Sequence, residues 1–426
     1  MSHPQWMKDS MARSPDLETE SSSKKEQVKK TKKEQQSCKS DTPTQKVPSE
    51  RTSAFIILNT ELEKELEKEE KLREALWIIP PMKITYFQFL ELINDKNTER
   101  VASGGFGIVY KVLQEKLAGL IGNAYNRIRT KDQTVAIKIF SRSITSITIK
   151  EIKEEVSALR AFKNECEKNH IVCYIGDVEV FRKNDKVGDF FVIMEYIEGE
   201  NLRAGMRTYW KLHESKESQK ISIARLIKDM TIFIKQGAMA IKMIHALNFA
   251  HNDIKLENFM LEMKNKRLVL VDFGLACQMF ECEGGFAGGT TMYYSLEKYT
   301  EYKKKISNEK YKNLSLVQLQ RADLWAFAIV VETLLSTHGN TNITSQTFEI
   351  MLKSPSGYGS AFFGPNEIHI TTESSSKKVL ALINGYTKLM NLAVQTLSHP
   401  IWTEENPWAT PDDYITLINE MLNKKK

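Results

Sequence analysis

An acid, a cation and a carboxamide occur within eight consecutive residues of this 426-residue chain, positions 251–258, which read HNDIKLEN. Asp253, Lys255 and Asn258 stand at alternate or near-alternate positions there, so all three side chains can face a common reaction centre. A carboxylate, an ammonium and a carboxamide held together suit phosphoryl transfer, in which catalysis depends on positioning and electrostatic stabilisation. The rest of the chain has to supply the other parts of such a site.

A glycine-rich turn provides a first candidate. Residues 101–110 read VASGGFGIVY and predict a strand, a glycine turn and a second strand. Glycines let backbone amides approach phosphate oxygens without a Cβ in the way. Taken alone, this hairpin is explained at least as well by a plain tight turn.

A lysine interrupts an apolar predicted strand at residues 135–140, VAIKIF. A buried Lys138 ammonium would need an anion, either a nucleotide phosphate or a glutamate from a helix. The alternative is an edge-strand lysine that faces water. The predicted helix that follows, residues 147–162, offers three carboxylates: Glu151, Glu154 and Glu155.

In their order along the chain, these stretches resemble the motifs of eukaryotic protein kinases of the Ser/Thr type. Residues 251–258 resemble H-R-D-x-K-x-x-N, with Asn252 in place of arginine, and residues 272–274 read D-F-G. Residues 102–109 resemble G-x-G-x-F-G-x-V, with Ala102 in place of the first glycine. The resemblance covers about residues 86–335, and the subfamily is not assigned.

Two later stretches extend the resemblance. Residues 289–297 resemble G-T-x-x-Y-x-A-P-E, with Ser295 and Leu296 departing from it. Residues 323–328 resemble D-x-W-x-x-G, with Ala328 for glycine. Asp323 is expected to cap a buried helix and to hold the backbone of residues 251–258, which correspond to the catalytic loop of the family.

The resemblance implies an α+β, bilobal fold with a small β-rich N-lobe and a larger, mainly helical C-lobe. We expect the kinase domain at residues 86–424, with the N-lobe at about 86–196 and the C-lobe at about 197–424. Residues 1–53 are predicted to be a disordered basic and polar tail, because they have almost no aliphatic side chains. Residues 54–85 are predicted to form a charged helix, at about 60–77, and a linker; the helix either docks on a partner or the kinase body or stands alone.

The resemblance also implies ATP and Mg²⁺ as cofactors and assigns roles to residues. Glu155 is the partner chosen for Lys138, because residues 155–159 match the family's E-V-x-x-L step, while Glu151 and Glu154 remain alternatives. The expected catalytic residues are Lys138, Glu155, Asp253, Lys255, Asn258 and Asp272, of which Asn258 and Asp272 are the expected metal ligands. The expected nucleotide-binding residues are Ala102, Gly104, Gly105, Phe106, Gly107, Val109, Ala136, Lys138, Met194, Glu195, Ile197, Asn201 and Met260.

These features predict an active Ser/Thr protein kinase that transfers the γ-phosphoryl group of ATP to Ser or Thr hydroxyls of protein substrates. Asn252 cannot form the charge-assisted pair that an arginine there makes with a phosphorylated activation loop, and no Ser, Thr or Tyr lies between Asp272 and Gly289. Catalysis is therefore expected without activation-loop phosphorylation. The alternative, motivated by the departures from the motifs, is a pseudokinase scaffold that binds partners through a kinase fold.

One further departure concerns Glu297, which in the family pairs with a late arginine. No arginine follows Arg321 in this chain, so either a lysine partner such as Lys303 or an exposed Glu297 is expected. Residues 298–320, longer than usual before Asp323, are interpreted as either a docking insertion or a solvated loop.

Composition limits the remaining function classes. The 60 cationic and 54 anionic side chains describe a highly charged surface, and nucleic acid is not an expected partner. Six lysines between positions 24 and 33 are interpreted either as a signal for nuclear import or for binding an acidic surface, or as part of a solvated tail.

The five cysteines, odd in number and without C-x-x-C spacing, predict reduced thiols. With no apolar run long enough for a membrane span, we expect an intracellular protein, cytoplasmic or nuclear; nothing in the sequence indicates an oligomeric state.

Overall fold

The computed structural model describes residues 82–104, 107–121, 134–140, 149–181, 189–214, 223–278, 282, 288–335, 377–399 and 401–423. The predicted tail, the predicted helix at about 60–77, and Gly105 and Phe106 lie outside the described residues.

A six-stranded sheet forms the N-terminal part. Its strands are β1 (Met82–Thr85), β2 (Glu99–Gly104), β3 (Gly107–Leu113), β4 (Thr134–Phe140), β5 (Tyr174–Phe181) and β6 (Asp189–Glu195), in the order β1-β5-β6-β4-β3-β2. Strand β1 runs parallel to β5, and all other neighbours are antiparallel. The sheet thus begins four residues before the predicted start of the domain at residue 86.

Three helices accompany this sheet: α1 (Tyr86–Ile93), α2 (Gln114–Ile121) and α3 (Ile149–Phe162). Helix α1 begins with a capping box, in which the Thr85 hydroxyl accepts a hydrogen bond from the Gln88 amide and the Gln88 side chain accepts one from the Thr85 amide. Its buried residues Phe89 and Leu92 pack with Leu117 of α2 against the sheet. Helix α2 follows β3 directly along the chain.

The C-terminal part is mainly helical. Its helices are α4 (Leu202–Glu214), α5 (Ile223–Ala246), α6 (Leu296–Ile306), α7 (Leu316–Leu335), α8 (Lys377–Ser398) and α9 (Pro411–Asn423). Its short strands are β7 (Glu200–Asn201), β8 (Phe249–Ala250), β9 (Phe259–Glu262), β10 (Arg267–Leu270) and β11 (Cys277–Gln278). Helix α7 is apolar around most of its circumference and lies in the core, as expected of a fully enclosed helix. The predicted α+β arrangement, a β-rich N-terminal part and a helical C-terminal part, is confirmed.

Two local predictions need correction. Helix α6 covers the first part of residues 298–320, which were interpreted as a loop or an insertion. Asp323 does not cap a helix, because α7 starts at Leu316, well before it. The cap is Ser315, whose hydroxyl accepts a hydrogen bond from the Gln318 amide at 3.3 Å while the Gln318 side chain accepts one from the Ser315 amide at 2.8 Å.

The cysteine prediction is wrong at four positions. Disulfides join Cys166 to Cys173 and Cys277 to Cys282, with S–S distances of 2.13 and 2.01 Å. The sequence separations are seven and five, so a search for C-x-x-C spacing misses pairs that only the folded chain brings together. Disulfides are typical of oxidising compartments, and the argument from thiols for an intracellular location is therefore removed.

Among the helices in the described part of the chain, none is both long enough and apolar enough for a membrane span.

A buried ion pair fixes the end of α3 to the sheet. The Arg160 guanidinium donates to Asp177 of β5 through Nη2 at 2.7 Å and Nε at 3.1 Å, and Nε also lies 3.2 Å from the Tyr174 hydroxyl. Arg160 and Asp177 are only 8% and 5% exposed. Because a buried charge is costly without a partner, this pair sets where α3 sits against β5.

We predict that Asp177→Ala lowers the free energy of unfolding by about 3 kcal/mol, because it leaves a buried guanidinium without this carboxylate. Glu179→Ala is the matched control, since Glu179 lies on the same strand and pairs with the exposed Lys83 at 3.7 Å. It is expected to cost less than about 1 kcal/mol. Urea unfolding of both variants measures the difference, and equal losses would contradict the prediction.

Candidate active site

A single cation, Lys138 of β4, joins the sheet, helix α3 and the segment after β10. Its Nζ lies 2.6 Å from Glu155 Oε1 and 2.8 Å from Asp272 Oδ1. Burial opposes the charged ammonium, but the carboxylates of Asp272 and Glu155 outweigh it and raise the pKa of Lys138. Lys138 therefore stays protonated, and Glu155, the helix carboxylate chosen from the sequence, is the one that it contacts.

Asp272 adopts a left-handed backbone conformation, with φ of 62°, directly after the strand pair β9–β10. Burial raises the pKa of its carboxyl, but the neighbouring Lys138 reverses the shift, and the net pKa is lowered. The carboxylate is thus ionised at neutral pH. Its side chain is 37% exposed, so part of the side chain remains accessible to solvent.

The catalytic-loop residues converge on the Asp253 carboxylate. Oδ2 accepts hydrogen bonds from Lys255 Nζ at 2.5 Å and Asn258 Nδ2 at 3.0 Å. Oδ1 accepts hydrogen bonds from the Thr290 amide at 3.0 Å and the Thr290 hydroxyl at 2.9 Å. Lys255 Nζ also donates to the Thr290 hydroxyl at 3.0 Å. Acid, cation and carboxamide therefore share one centre, as their spacing in the sequence suggested.

A buried carboxylate of α7, that of Asp323, binds the backbone of this loop. Asp323 Oδ2 accepts the His251 amide at 2.7 Å, and Oδ1 accepts the Asn252 amide at 2.9 Å. Burial raises the pKa of Asp323, but hydrogen bonds from His245 and from the His251 backbone outweigh it, and the net pKa is lowered. The role expected of Asp323 in holding the loop backbone is thus present in the geometry, although its role as a cap is not.

An aromatic contact fixes the other side of the loop. The His251 ring lies 4.9 Å, centroid to centroid, from Phe273, whose ring lies 5.0 Å from Phe162 of α3. Burial lowers the pKa of His251, so its ring is neutral at physiological pH. The loop, the residue after Asp272 and helix α3 therefore pack as one unit.

Asn252, which stands where arginine was expected, has a left-handed backbone with φ of 66°, a conformation that asparagine tolerates well. Its Nδ2 donates to the Leu275 carbonyl at 3.1 Å, and its own carbonyl accepts Lys298 Nζ at 2.9 Å. Glu297 is exposed and accepts a hydrogen bond from Gln318, which confirms the exposed alternative for this residue.

The hairpin β2–β3 carries the candidate phosphate-binding turn. Ala102 lies opposite Val109, and Gly104 lies opposite Gly107. Gly107 has φ of 146°, and a Cβ there would overlap the Ile139 carbonyl of β4, so the site requires glycine. Ala102 is exposed and its φ is not positive, which explains why alanine is accepted in place of glycine.

The candidate adenine-binding residues line the junction of the two parts. Ala136 of β4 lies opposite Met194 of β6, and Ile197 is buried just beyond β6. The Glu195 side chain turns towards Arg267, which donates to both carboxylate oxygens at 2.9 and 2.8 Å. This ion pair uses the side-chain oxygens of Glu195 and does not involve its backbone carbonyl.

Two further candidates lie on β7 and β9. Met260 pairs with Asn201 across these strands and is half-buried. The Asn201 side-chain oxygen accepts the Ala204 amide at 3.0 Å, which makes Asn201 the cap of α4. A nucleotide contact by the Asn201 side chain would therefore have to use its Nδ2 atom or compete with this cap.

Sequence reasoning missed a polar cluster beside the catalytic loop. Arg203 of α4 pairs with Glu257 and donates from Nη2 to the Tyr293 hydroxyl at 3.2 Å. Burial and Glu257 raise the pKa of Tyr293 to about 12, so the hydroxyl stays protonated. The paired residues are 54 and 90 positions apart, and no local pattern in the sequence marks them.

The site residues fit Mg²⁺ and a nucleotide by their donor chemistry. Asn258 uses Nδ2 to donate to the Asp253 carbonyl at 2.8 Å and to the Asp253 carboxylate at 3.0 Å, so its amide oxygen is turned away from these acceptors. An amide oxygen and an ionised Asp272 are the hard oxygen ligands that Mg²⁺ prefers. The Lys138 cation suits phosphate oxygens.

Comparison with known proteins adds independent information. The family described as "Protein kinase domain" matches residues 96–426. Serine/threonine-protein kinase RAD53 of Saccharomyces cerevisiae is 23% identical over 337 residues, which is 74% of this chain and 37% of that protein. CDPK-related kinase 4 of Arabidopsis thaliana is 24% identical over 292 residues, 66% of this chain and 41% of that protein.

A third relative, mitogen-activated protein kinase kinase 9 of Arabidopsis thaliana, is 26% identical over 242 residues, 55% of this chain and 61% of that protein. The chain therefore spans less than two thirds of the length of these three relatives.

We predict that Asp323→Ala lowers the free energy of unfolding by about 3 kcal/mol or more, because the buried amides of His251 and Asn252 lose their acceptor. Asp412→Ala is the control, since this exposed carboxylate pairs with Lys242 on the surface. It is expected to change stability by less than about 1 kcal/mol. Chemical denaturation of both variants tests this, and a wild-type midpoint for Asp323→Ala would contradict it.

Proposed function

Because the chain belongs to the protein kinase domain family, we propose that it transfers the γ-phosphoryl group of ATP to Ser or Thr hydroxyls of protein substrates. The observation that carries the proposal is the complete set of charged groups around one centre. Lys138 bridges Glu155 and Asp272, and Asp253 holds Lys255 and Asn258 within hydrogen-bonding distance. The catalytic domain is proposed to comprise residues 86–424.

In this proposal Asp253 orients the substrate hydroxyl and accepts its proton. Lys255, already 2.5 Å from the Asp253 carboxylate, stabilises the charge that develops on the transferring phosphoryl group. Asp272 and Asn258 would hold Mg²⁺, and Lys138, positioned by Glu155, would hold the α- and β-phosphates of the nucleotide. Mg²⁺, when bound, neutralises charge on the phosphate oxygens.

Preference for Ser and Thr acceptors is proposed from the resemblance to Ser/Thr kinases, whose motif form includes Lys255, two residues after Asp253, and Thr290. Lys255 Nζ donates to both Asp253 and the Thr290 hydroxyl, so the loop and the following segment share one cation. The three relatives described above include a protein named as a serine/threonine kinase, which agrees with this proposal. The cytoplasmic or nuclear location expected from the sequence stays a prediction.

The test is incorporation of labelled phosphate from ATP with Mg²⁺ into a generic protein acceptor. We expect Asp253→Asn and Lys138→Met to reduce kcat/KM by at least about 100-fold, because each removes a charged group from the reaction centre. Lys83→Met, which removes an exposed surface cation at 3.7 Å from Glu179, is the control and should keep wild-type activity.

Equal incorporation by wild type and both site variants would overturn the proposal. Absence of transfer by the wild type, together with partner binding that survives Asp253→Asn, would instead support the pseudokinase scaffold.

We further propose that activity does not require phosphorylation of the activation segment, residues 272–297. Asn252 carries no cation to pair with a phosphate, and residues 273–288 contain no hydroxyl side chain. Phosphatase treatment, checked by intact mass, is expected to leave kcat within about twofold of its untreated value, because no charge-assisted pair is lost. A large loss of activity that maps to Thr290 or Thr291 would contradict this.

A further inference from the structure

Lys298 is a buried cation in an unfavourable place. It lies in the first turn of α6 and is only 2% exposed. The amino end of a helix carries partial positive charge, and burial penalises an ammonium, so both features oppose a lysine here. A side chain placed against these two costs needs specific partners.

Its partners are the catalytic loop and an aromatic ring. Lys298 Nζ donates to the Asn252 carbonyl at 2.9 Å and lies 4.7 Å from the centroid of the Tyr294 ring. Burial lowers the pKa of Lys298 to about 8, while the nearby carboxylates of Asp323 and Asp253 work against this shift. Lys298 also lines a small cavity together with Asp253, Thr290 and Asp323.

The carbonyl that Lys298 contacts belongs to the peptide group that leads into Asp253. The amide at the other end of this peptide, that of Asp253, lies 3.3 Å from His251 Nδ1. The two ends of one peptide plane are therefore held by two different side chains. Because the Asp253 side chain leaves the backbone at this peptide, the orientation of the peptide contributes to the direction of the carboxylate, together with the hydrogen bonds from Lys255, Asn258 and Thr290.

The activation segment approaches the same carbonyl. Gly289 has φ of 131°, and a Cβ there would lie 2.7 Å from the Asn252 oxygen. The next residue, Thr290, donates twice to the Asp253 carboxylate. The Asn252 carbonyl is thus a point at which the catalytic loop, the activation segment and α6 meet.

We infer that Lys298 is a positioning residue for phosphoryl transfer, which acts through the Asn252–Asp253 peptide to aim the Asp253 carboxylate at the acceptor hydroxyl. The inference rests on the proposed function. Lys298 places a cation at the loop without any phosphorylation, in a chain whose Asn252 carries no cation to pair with a phosphorylated segment.

The test compares Lys298→Met with Lys303→Met on the same helix. Lys303 is exposed, 5.5 Å from the Tyr299 ring centroid, and its variant should match the wild type. For Lys298→Met we expect kcat to fall by at least about tenfold, because displacements of about 1 Å at a reaction centre cost up to 100-fold. KM for ATP and the thermal shift given by Mg²⁺-ATP should change by less than about twofold, since the nucleotide contacts are untouched.

A role in stability alone predicts a different result, in which nucleotide binding and melting temperature fall together. Lys298→Arg covers the case in which the methionine variant does not fold, because arginine keeps both charge and donors. We expect an arginine variant that folds with an unchanged KM for ATP; its kcat should be at least about tenfold above that of the methionine variant where that variant folds, and within about tenfold of the wild-type kcat where it does not.

The outcomes separate the two proposals. No transfer by the wild type overturns the proposed function and this inference together. An active wild type with an unaffected Lys298→Met variant overturns the inference alone. So does an arginine variant that folds without better activity than the methionine variant, or loss of folding in both variants.

Discussion

The catalytic loop depends on one carboxylate that is buried in the protein core. Asp323, fully enclosed in α7, receives the backbone amides of His251 and Asn252 and the ring nitrogen of His245. An ionised group in such a position is tolerated because its oxygens accept these hydrogen bonds. Asp323 thereby holds two successive amides of the loop, including that of Asn252 with its left-handed backbone.

Much of the site could be predicted because its motifs are local. Asp253, Lys255 and Asn258 lie within six residues, so their spacing alone brings them together. The strand that carries Lys138 and the helix that carries Glu155 likewise have strong periodic patterns. Both elements lie within two residues of their predicted bounds. The resemblance to the protein kinase motifs also predicted a β-rich and a helical part in the right order.

Contacts between distant residues could not be predicted in this way. Lys298 and Asn252 are 46 positions apart, and the burial that makes their contact significant depends on packing of α6 against the loop. Asp323 was misjudged because a cap is defined by where a helix starts, and Ser315 with Gln318 starts it earlier. The disulfides were not predicted because no short sequence motif marks them; closure of the intervening loops brings their cysteines together.

Lys138 connects a strand of the sheet with α3 through Glu155 and with the metal-binding candidate Asp272 through a second contact. These two carboxylates share one positive charge. If α3 moved away with Glu155, the whole of that charge would fall to Asp272, and its capacity to attract a divalent cation would decrease. The position of α3 would in this way change the charge presented to a metal ion at Asp272, with no change in any residue that the ion would touch.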